Sequence, residues 1–302
     1  MEAHVRAGLD ICGAVLRYAE IEQYGSRYRL LRLGSCDFEF DLVDDVLSGD
    51  DEEKLTAAAG ALEEIFSGSV AGTLHITLHP PLCYSFFAPL PATSDSSERK
   101  IRLQQEAALL AGTDHPLHIT ADAVRSQQLR DGARVDWVHV LAVDDRIHRR
   151  VRTLTENIPH TRRRLMVSMQ GAAGALSRLP RTSQENGATY LLATGFYEDH
   201  VEFTLAHDRH WYFSQYTASI PHADAPYFAM ALLDRFGLRM QVVADFFVYG
   251  NDADPNHFSE LSAATGIEVS PLDPFVSLDL DSGALSSEVN PESYVGCVGV
   301  TL

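Results

Sequence analysis

Lysine is nearly missing from this 302-residue chain, with Lys54 and Lys100 the only two, and lysine plus arginine supply 24 positive charges against 42 from aspartate and glutamate. The formal net charge is −18. A phosphate backbone needs a cationic surface, so this balance speaks against nucleic acid as a partner, and it is read as an acidic surface bearing on solubility rather than chemistry. Cysteine is equally sparse: Cys12, Cys36, Cys83 and Cys297 lie far apart and form no Cys-x-x-Cys pair. That spacing suggests neither a disulfide framework nor a thiolate metal site, and a reducing cytoplasm suits it. No stretch approaches the roughly 18 apolar residues of a membrane span, and Met1 to Gly8 lacks the apolar stretch of a signal peptide, so the protein is expected to stay where it is made. What remains, 45% hydrophobic and 22% charged residues, is enough for two globular lobes or one large one.

The patterning favours two. Strands are predicted at His4 to Ile11, at Ala14 to Glu22 and, after a Gly25-Ser26 turn, at Arg27 to Leu33, forming a meander. After the acidic stretch Asp41 to Glu53, Leu55, Ala58, Ala59, Leu62, Ile65 and Phe66 recur at helical spacing up to Gly68, and a strand follows at Thr73 to Leu78. The second half repeats this order: strands at Thr189 to Ala193, Val201 to Leu205 and His210 to Tyr216 precede a helix with Phe228, Leu232 and Phe236 on one stripe. A strand at Asp245 to Tyr249 and a helix from about Asn256 to Thr265 complete it. Such a duplication is expected of two ribonuclease H-like lobes facing each other across a cleft.

Between the halves, about Pro80 to Glu156 reads as an inserted α+β subdomain: a strand at Tyr84 to Leu90, a helix after Ser97 ending near Gly112, two strands around the Asp131-Gly132 turn and a helix from Asp144. The expected division is thus a first lobe at 1–185 carrying the insert at about 80–156, a linker at Pro180 to Gly187, and a second lobe at 186–302.

Five segments resemble the PilM pilus-assembly family in order. Leu9-Asp10-Ile11-Cys12-Gly13-Ala14-Val15-Leu16-Arg17 and on to Glu20 is similar to its opening, Leu191-Leu192-Ala193-Thr194-Gly195 to its second phosphate strand and Phe247-Val248-Tyr249-Gly250-Asn251 to its glycine-rich adenosine loop. Val269 to Phe275 is similar to its late Asn/Asp-Pro-Phe segment and Tyr294 to Val300 to its closing small-residue helix. The resemblance implies a mixed α/β, duplicated actin-like ATPase fold. If nucleotide binding is retained, it implies Asp10, Gly13, Arg17, Gly195 and Gly250 as the nucleotide residues. Departures are expected to matter: Cys12 replaces a glycine, Ala14 and Val15 replace hydroxyl residues, Ala193 replaces an aspartate, and bulky Phe196 and Tyr197 follow Gly195 where small residues suit an anion nest.

The resemblance therefore implies a protein without catalytic residues or a required cofactor, with binding of ATP and magnesium left as the alternative of an active actin, Hsp70 or sugar-kinase relative. It further implies a cytoplasmic scaffold of a type IV pilus or related secretion machine. Such a scaffold binds a short tail peptide of a PilN-like inner-membrane partner near the insert and is recruited by it to the membrane face. A chain ending at Leu302 without a span fits PilM better than the membrane-anchored secretion relatives. A third reading is a self-associating structural protein with no ligand.

Other residues read blandly. His75 and His79, His115 and His118, and His207 and His210 form close pairs, but a metal site needs three or four convergent ligands, so turn and surface histidines are expected. Ser168 and Ser219 lack a nucleophile elbow. Arg162, Arg163 and Arg164, with Arg149, Arg150 and Arg152, could meet anionic headgroups, but pairing with nearby carboxylates is expected. One member of Phe86-Phe87 must face away from its neighbour in a strand.

Overall fold

A computed structural model describes residues 4–129, 131–159, 162–180, 189–280, 285 and 289–302. The expected linker at Pro180 to Gly187 lies, apart from Pro180, outside the described residues.

The first sheet grows from β1 (His4–Cys12), β2 (Val15–Tyr24) and β3 (Arg27–Asp37), an antiparallel meander. The acidic stretch is not a plain loop: Asp41 accepts from the N–H groups of Val43 and Asp44 and starts a π-helical turn, Leu42–Ser48. α1 (Glu52–Ile65) follows, begun by the Asp51 carboxylate, which accepts the Lys54 N–H and satisfies one of the free donors of the first turn. β4 (Thr73–Leu78) pairs parallel with β1. The chain then forms β5 (Cys83–Pro91), α2 (Ser96–Ala111), β6 (Leu117–Gln128) and β7 (Arg134–Asp144), a separate sheet in the order β5-β7-β6. α2 ends on Gly112 in the left-handed conformation, which glycine takes without strain. α3 (Asp145–Leu154) returns to pack on α1, β8 (Arg162–Val167) adds parallel to β4, and α4 (Ser168–Arg178) closes the first unit.

The second sheet repeats the plan with β9 (Tyr190–Phe196), β10 (His200–His207), β11 (His210–Ala218), α5 (Ala225–Arg235), β12 (Val243–Gly250), α6 (Ser259–Thr265) and β13 (Val269–Pro271). Strand orders are β3-β2-β1-β4-β8 and β11-β10-β9-β12-β13, each with three antiparallel strands followed by two parallel ones. The repeat seen in the sequence is therefore longer by a strand and a helix. The central strands are covered on both faces and read as near-continuous buried runs, Ala7 to Ile11 and Leu191 to Phe196.

The end of the chain does not stay with the second sheet. β14 (Leu278–Asp279) joins the outer edge of the first, beside β3, and α7 (Val295–Gly299) is wedged against β1 and α4. α4 and α7, equivalent elements of the two repeats, meet through glycines. A Cβ on Gly174 would lie 2.1 Å from the Gly299 carbonyl oxygen, and one on Gly299 would lie 1.9 Å from that of Gly171.

The insert packs beside the first lobe, and its aromatic contacts also reach the second. Phe86 faces α2 within a small core of Ala88, Leu90, Leu103, Val138 and Val140. Phe87, on the other face, packs on Trp211 and Phe213 of β11 at ring distances of 5.1 and 4.9 Å. His139 of β7 lies 4.4 Å from Trp211, and the Arg125 guanidinium sits 4.0 Å above the Tyr212 ring. The first-lobe side of the insert is apolar as well: Leu82, Cys83, Leu141, Val143, Val151 and Leu154 belong to the core of the first lobe, and Arg164 pairs with Asp122. Of the arginine cluster, Arg150 pairs with Glu52, Arg149 with Asp145 and Arg164 with Asp122, while Arg163 donates to the carbonyls of Thr155, Glu156 and Ile158.

Candidate functional site: the cleft between the two sheets

The β1–β2 turn and the β9–β10 turn face each other across a cleft of about 650 Å³. Gly13 makes the first turn with φ +58, which a side chain would resist. Beyond it the walls are acidic. Asp41, Asp44, Glu198, Asp199 and Asp252 line the cleft, and among the described residues no lysine or arginine does.

The floor is a buried polar cluster. Asp10, at the end of β1, is 3% exposed, and one of its oxygens, Oδ1, lies 2.7 Å from Nε2 of His79, just beyond β4. From β10 come His200 and Glu202, both buried. His200 places Nδ1 2.5 Å from Asp199 and Nε2 3.2 Å from Glu202 Oε1. Glu202 also accepts from the Tyr249 hydroxyl at 2.7 Å and from the Ser168 hydroxyl at the start of α4. Tyr197 fills the remaining space, its ring stacked on His200 and edge-on to His79 at 4.5 Å.

Burial alone would push the His200 imidazole down, but its hydrogen bonds to Asp199 and Glu202 outweigh that and raise it to about 9. Burial likewise opposes ionisation of Glu202, yet bonding and charge from His200 bring it below the usual carboxylate range. Tyr197 and Tyr249 are driven well above the ordinary phenol range by burial first and by the Glu202 charge second. His200 and Glu202 thus form a buried ion pair held on both sides by neutral phenols.

Among the five residues expected around a nucleotide, Gly13 alone lines the cleft. Asp10 is turned to His79 and packed against α7, where a Cβ on Gly296 would lie 2.3 Å from its carboxylate. Arg17 donates to Asn251 across the lobes at 2.7 Å and lies 5.7 Å from the Tyr294 ring. Gly195 leaves room for the Tyr249 ring, and Gly250, at φ +102, sits against the Phe196 carbonyl, where a Cβ would be 2.4 Å away. These glycines serve internal packing.

The fold family implies ATP and magnesium, and the residues present do not suit that group. A triphosphate would meet five carboxylates without a cationic side chain among the described lining residues.

Two expectations need correction. His79 is no surface histidine: it joins His200 and Glu202 so that one ligand atom from each lies within 4.8 Å of the others. Ser168, which lacks a nucleophile elbow as expected, is a buried donor to Glu202. The second lobe does carry a carboxylate at the cleft: Ala193 is apolar, but Glu202 on the neighbouring strand, opposite Gly195, supplies one. The remaining histidines do scatter. His118 stacks on His148 at 3.8 Å, His207 on Tyr190, and His75 approaches the Val300 carbonyl.

Two repeats of a five-stranded mixed sheet closing on a cleft define the actin-like ATPase fold, and this chain has it. It is similar over nearly its whole length to a chain of the PilM–PilN type IV pilus biogenesis complex, with TM-score 0.72 and 14% identity, covering 98% of this chain and 97% of that one. A Bacteroides thetaiotaomicron protein with actin-like ATPase fold and unknown function is also similar, with TM-score 0.55 and 10% identity over 93% of this chain and 95% of that one. No protein-family model matches the chain, and no curated protein does.

Proposed function

We propose that this chain is a non-hydrolysing scaffold of a type IV pilus or related secretion assembly machine. In this reading it works in the cytoplasm and takes up a short apolar peptide from the tail of a PilN-like inner-membrane protein. Among the described residues no helix is long and apolar enough to cross a membrane, so membrane recruitment in this reading falls to the partner.

The observation that carries the reading is an apolar groove of about 640 Å³ on the insert, in a chain whose fold is that of one member of the PilM–PilN complex. Leu90, Leu103, Leu117, Ile119 and Val138 line it between α2 and the small sheet. β6, which supplies two of these, is an edge strand of that sheet and offers backbone groups to an extended peptide. On α2, Ile101, Leu109 and Leu110 are 56%, 82% and 59% exposed, more apolar surface than one amphipathic helix needs to leave open.

The peptide would be disordered alone, so a few buried anchors must offset its ordering cost. Titration with the N-terminal tail of the PilN-like protein encoded beside this one, followed by calorimetry or NMR, tests the reading. Truncating a peptide anchor is expected to weaken binding by about 1 to 3 kcal/mol, and added salt to matter less. Leu117→Asp, at a half-buried position of the groove, should remove binding while circular dichroism stays unchanged. No saturable binding at high micromolar concentration, or shifts confined to the second sheet, would exclude it. In the same reading the protein shows no appreciable ATPase activity, and magnesium-dependent turnover that disappears in Asp10→Ala would overturn that part.

A further inference from the structure

His79 belongs to the first lobe and His200 and Glu202 to the second, so the polar cluster spans the cleft. Hydrogen bonding orients both rings. Asp10 accepts the Nε2–H of His79, leaving Nδ1 with its lone pair, and Asp199 accepts the Nδ1–H of His200, turning Nε2 to Glu202. The His79 ring is buried, and its Nδ1 has no hydrogen-bond partner although Glu202 Oε1 lies only 3.9 Å away. A buried lone pair aimed at a carboxylate oxygen is unfavourable unless a positive charge lies between them.

A proton on Nδ1 would form a normal hydrogen bond only if the two atoms closed by about 1 Å. For that pair an ion asks for a closing of only about 0.6 Å. With metal–nitrogen bonds of about 2.0 to 2.1 Å, the ligand atoms of a tetrahedral site lie about 3.3 Å apart. Here two of the three separations are 3.2 and 3.9 Å, and the third is within 4.8 Å.

We propose that His79 Nδ1, His200 Nε2 and Glu202 Oε1 form a site for one divalent transition-metal ion of the zinc class, which ties the two lobes together across the floor of the cleft. Two imidazoles and a carboxylate favour zinc, cobalt or nickel over magnesium and calcium, which take oxygen ligands. The outer contacts are those of a built site. Asp10 and Asp199 hold the far nitrogens of the two rings, and the Tyr249 and Ser168 hydroxyls hold Glu202. His79 and His200 both border the cleft, so an ion would approach from that side. Binding displaces the Nε2 proton that His200 otherwise donates to Glu202, and that proton leaves to solvent.

The test uses the full chain stripped with a chelator and titrated with zinc or cobalt chloride. Calorimetry should give one ion per chain with micromolar or tighter affinity, cobalt should develop the visible bands of a tetrahedral nitrogen and oxygen site, and the thermal midpoint should rise. His79→Gln, which keeps a donor for Asp10, should lose affinity about tenfold or more, as should Glu202→Gln, whereas His118→Gln, in the stacked pair elsewhere, should not. X-ray absorption of the zinc-loaded wild-type protein requires no variant and should count two imidazoles on the ion. No saturable binding below about 100 µM, unchanged affinity in His79→Gln, or fewer than two imidazoles at the zinc would each overturn the proposal.

Discussion

At the residue scale, Glu202 organises the cleft floor. Its charge is sustained underground by His200, Tyr249 and Ser168, so removing one neutral donor leaves an ionised group short of a bond without opening a large void. Tyr249→Phe is therefore expected to cost about 1 to 3 kcal/mol in urea unfolding, more than a surface Tyr→Phe change such as Tyr227→Phe, where the ring is 72% exposed. Equal effects of the two substitutions would contradict this account. None of this was legible in the sequence. The alternation His200, Glu202, Thr204 against Val201, Phe203, Leu205 is what an antiparallel strand with one solvated face shows. In the folded chain α4 covers that polar face, and both faces of β10 are buried.

Between elements, two contacts carry predictions. The α4–α7–β1 junction brings backbone to backbone: a Cβ on Gly8 would lie 1.9 Å from the Cys297 carbonyl oxygen, and one on Gly174 2.1 Å from that of Gly299. Backbone cannot step aside as a side-chain tip can, so Gly8→Ala and Gly174→Ala should each lower stability by about 2 kcal/mol or more. Gly60→Ala on α1, with open space around it, should be neutral or slightly stabilising in the same denaturation series. The other contact is His139, between the insert and Trp211. Burial pushes it down to about 3, so the folded protein keeps it neutral where the unfolded chain would protonate it. As pH falls from about 6.5 toward 3 the unfolded state takes up the extra proton, and stability should drop by up to about 1.4 kcal/mol per pH unit from this residue. His139→Gln, which can still bond Ser85, should flatten that slope relative to wild type. A matching acid slope in both proteins would remove His139 from the cause.

For the whole molecule, the notable fact is that the two repeats are fastened to each other by several different means. α7 is wholly buried between the sheets, β14 extends the first sheet from the far end of the chain, and Arg17 reaches Asn251 across the cleft. The two sheets are thus expected to unfold as one cooperative unit. Deleting 291–302 should abolish the single transition or lower its midpoint strongly, because it strips cover from β1 and α4 together. A truncated chain with an unchanged thermal midpoint would show that α7 is dispensable.

How far the sequence reached follows from range. Hydrophobic period, turn glycines and Asp caps act over a few residues, and they placed the strands His4 to Ile11 and Asp245 to Tyr249, the helix ending near Gly112 and the Asp131-Gly132 hairpin close to where they lie. Element order carried the duplicated fold, since each repeat writes the same local signals in the same succession. Tertiary structure alone decided which residues meet at distance: that His79 finds Glu202, that Gly195 and Gly250 serve aromatic and backbone packing, and that Phe87 of the insert meets β11. Those outcomes depend on which faces are covered after two sheets close on each other. A strand's pattern states that it has two faces, whereas only the packed neighbours determine whether the polar one meets water or a second layer of protein.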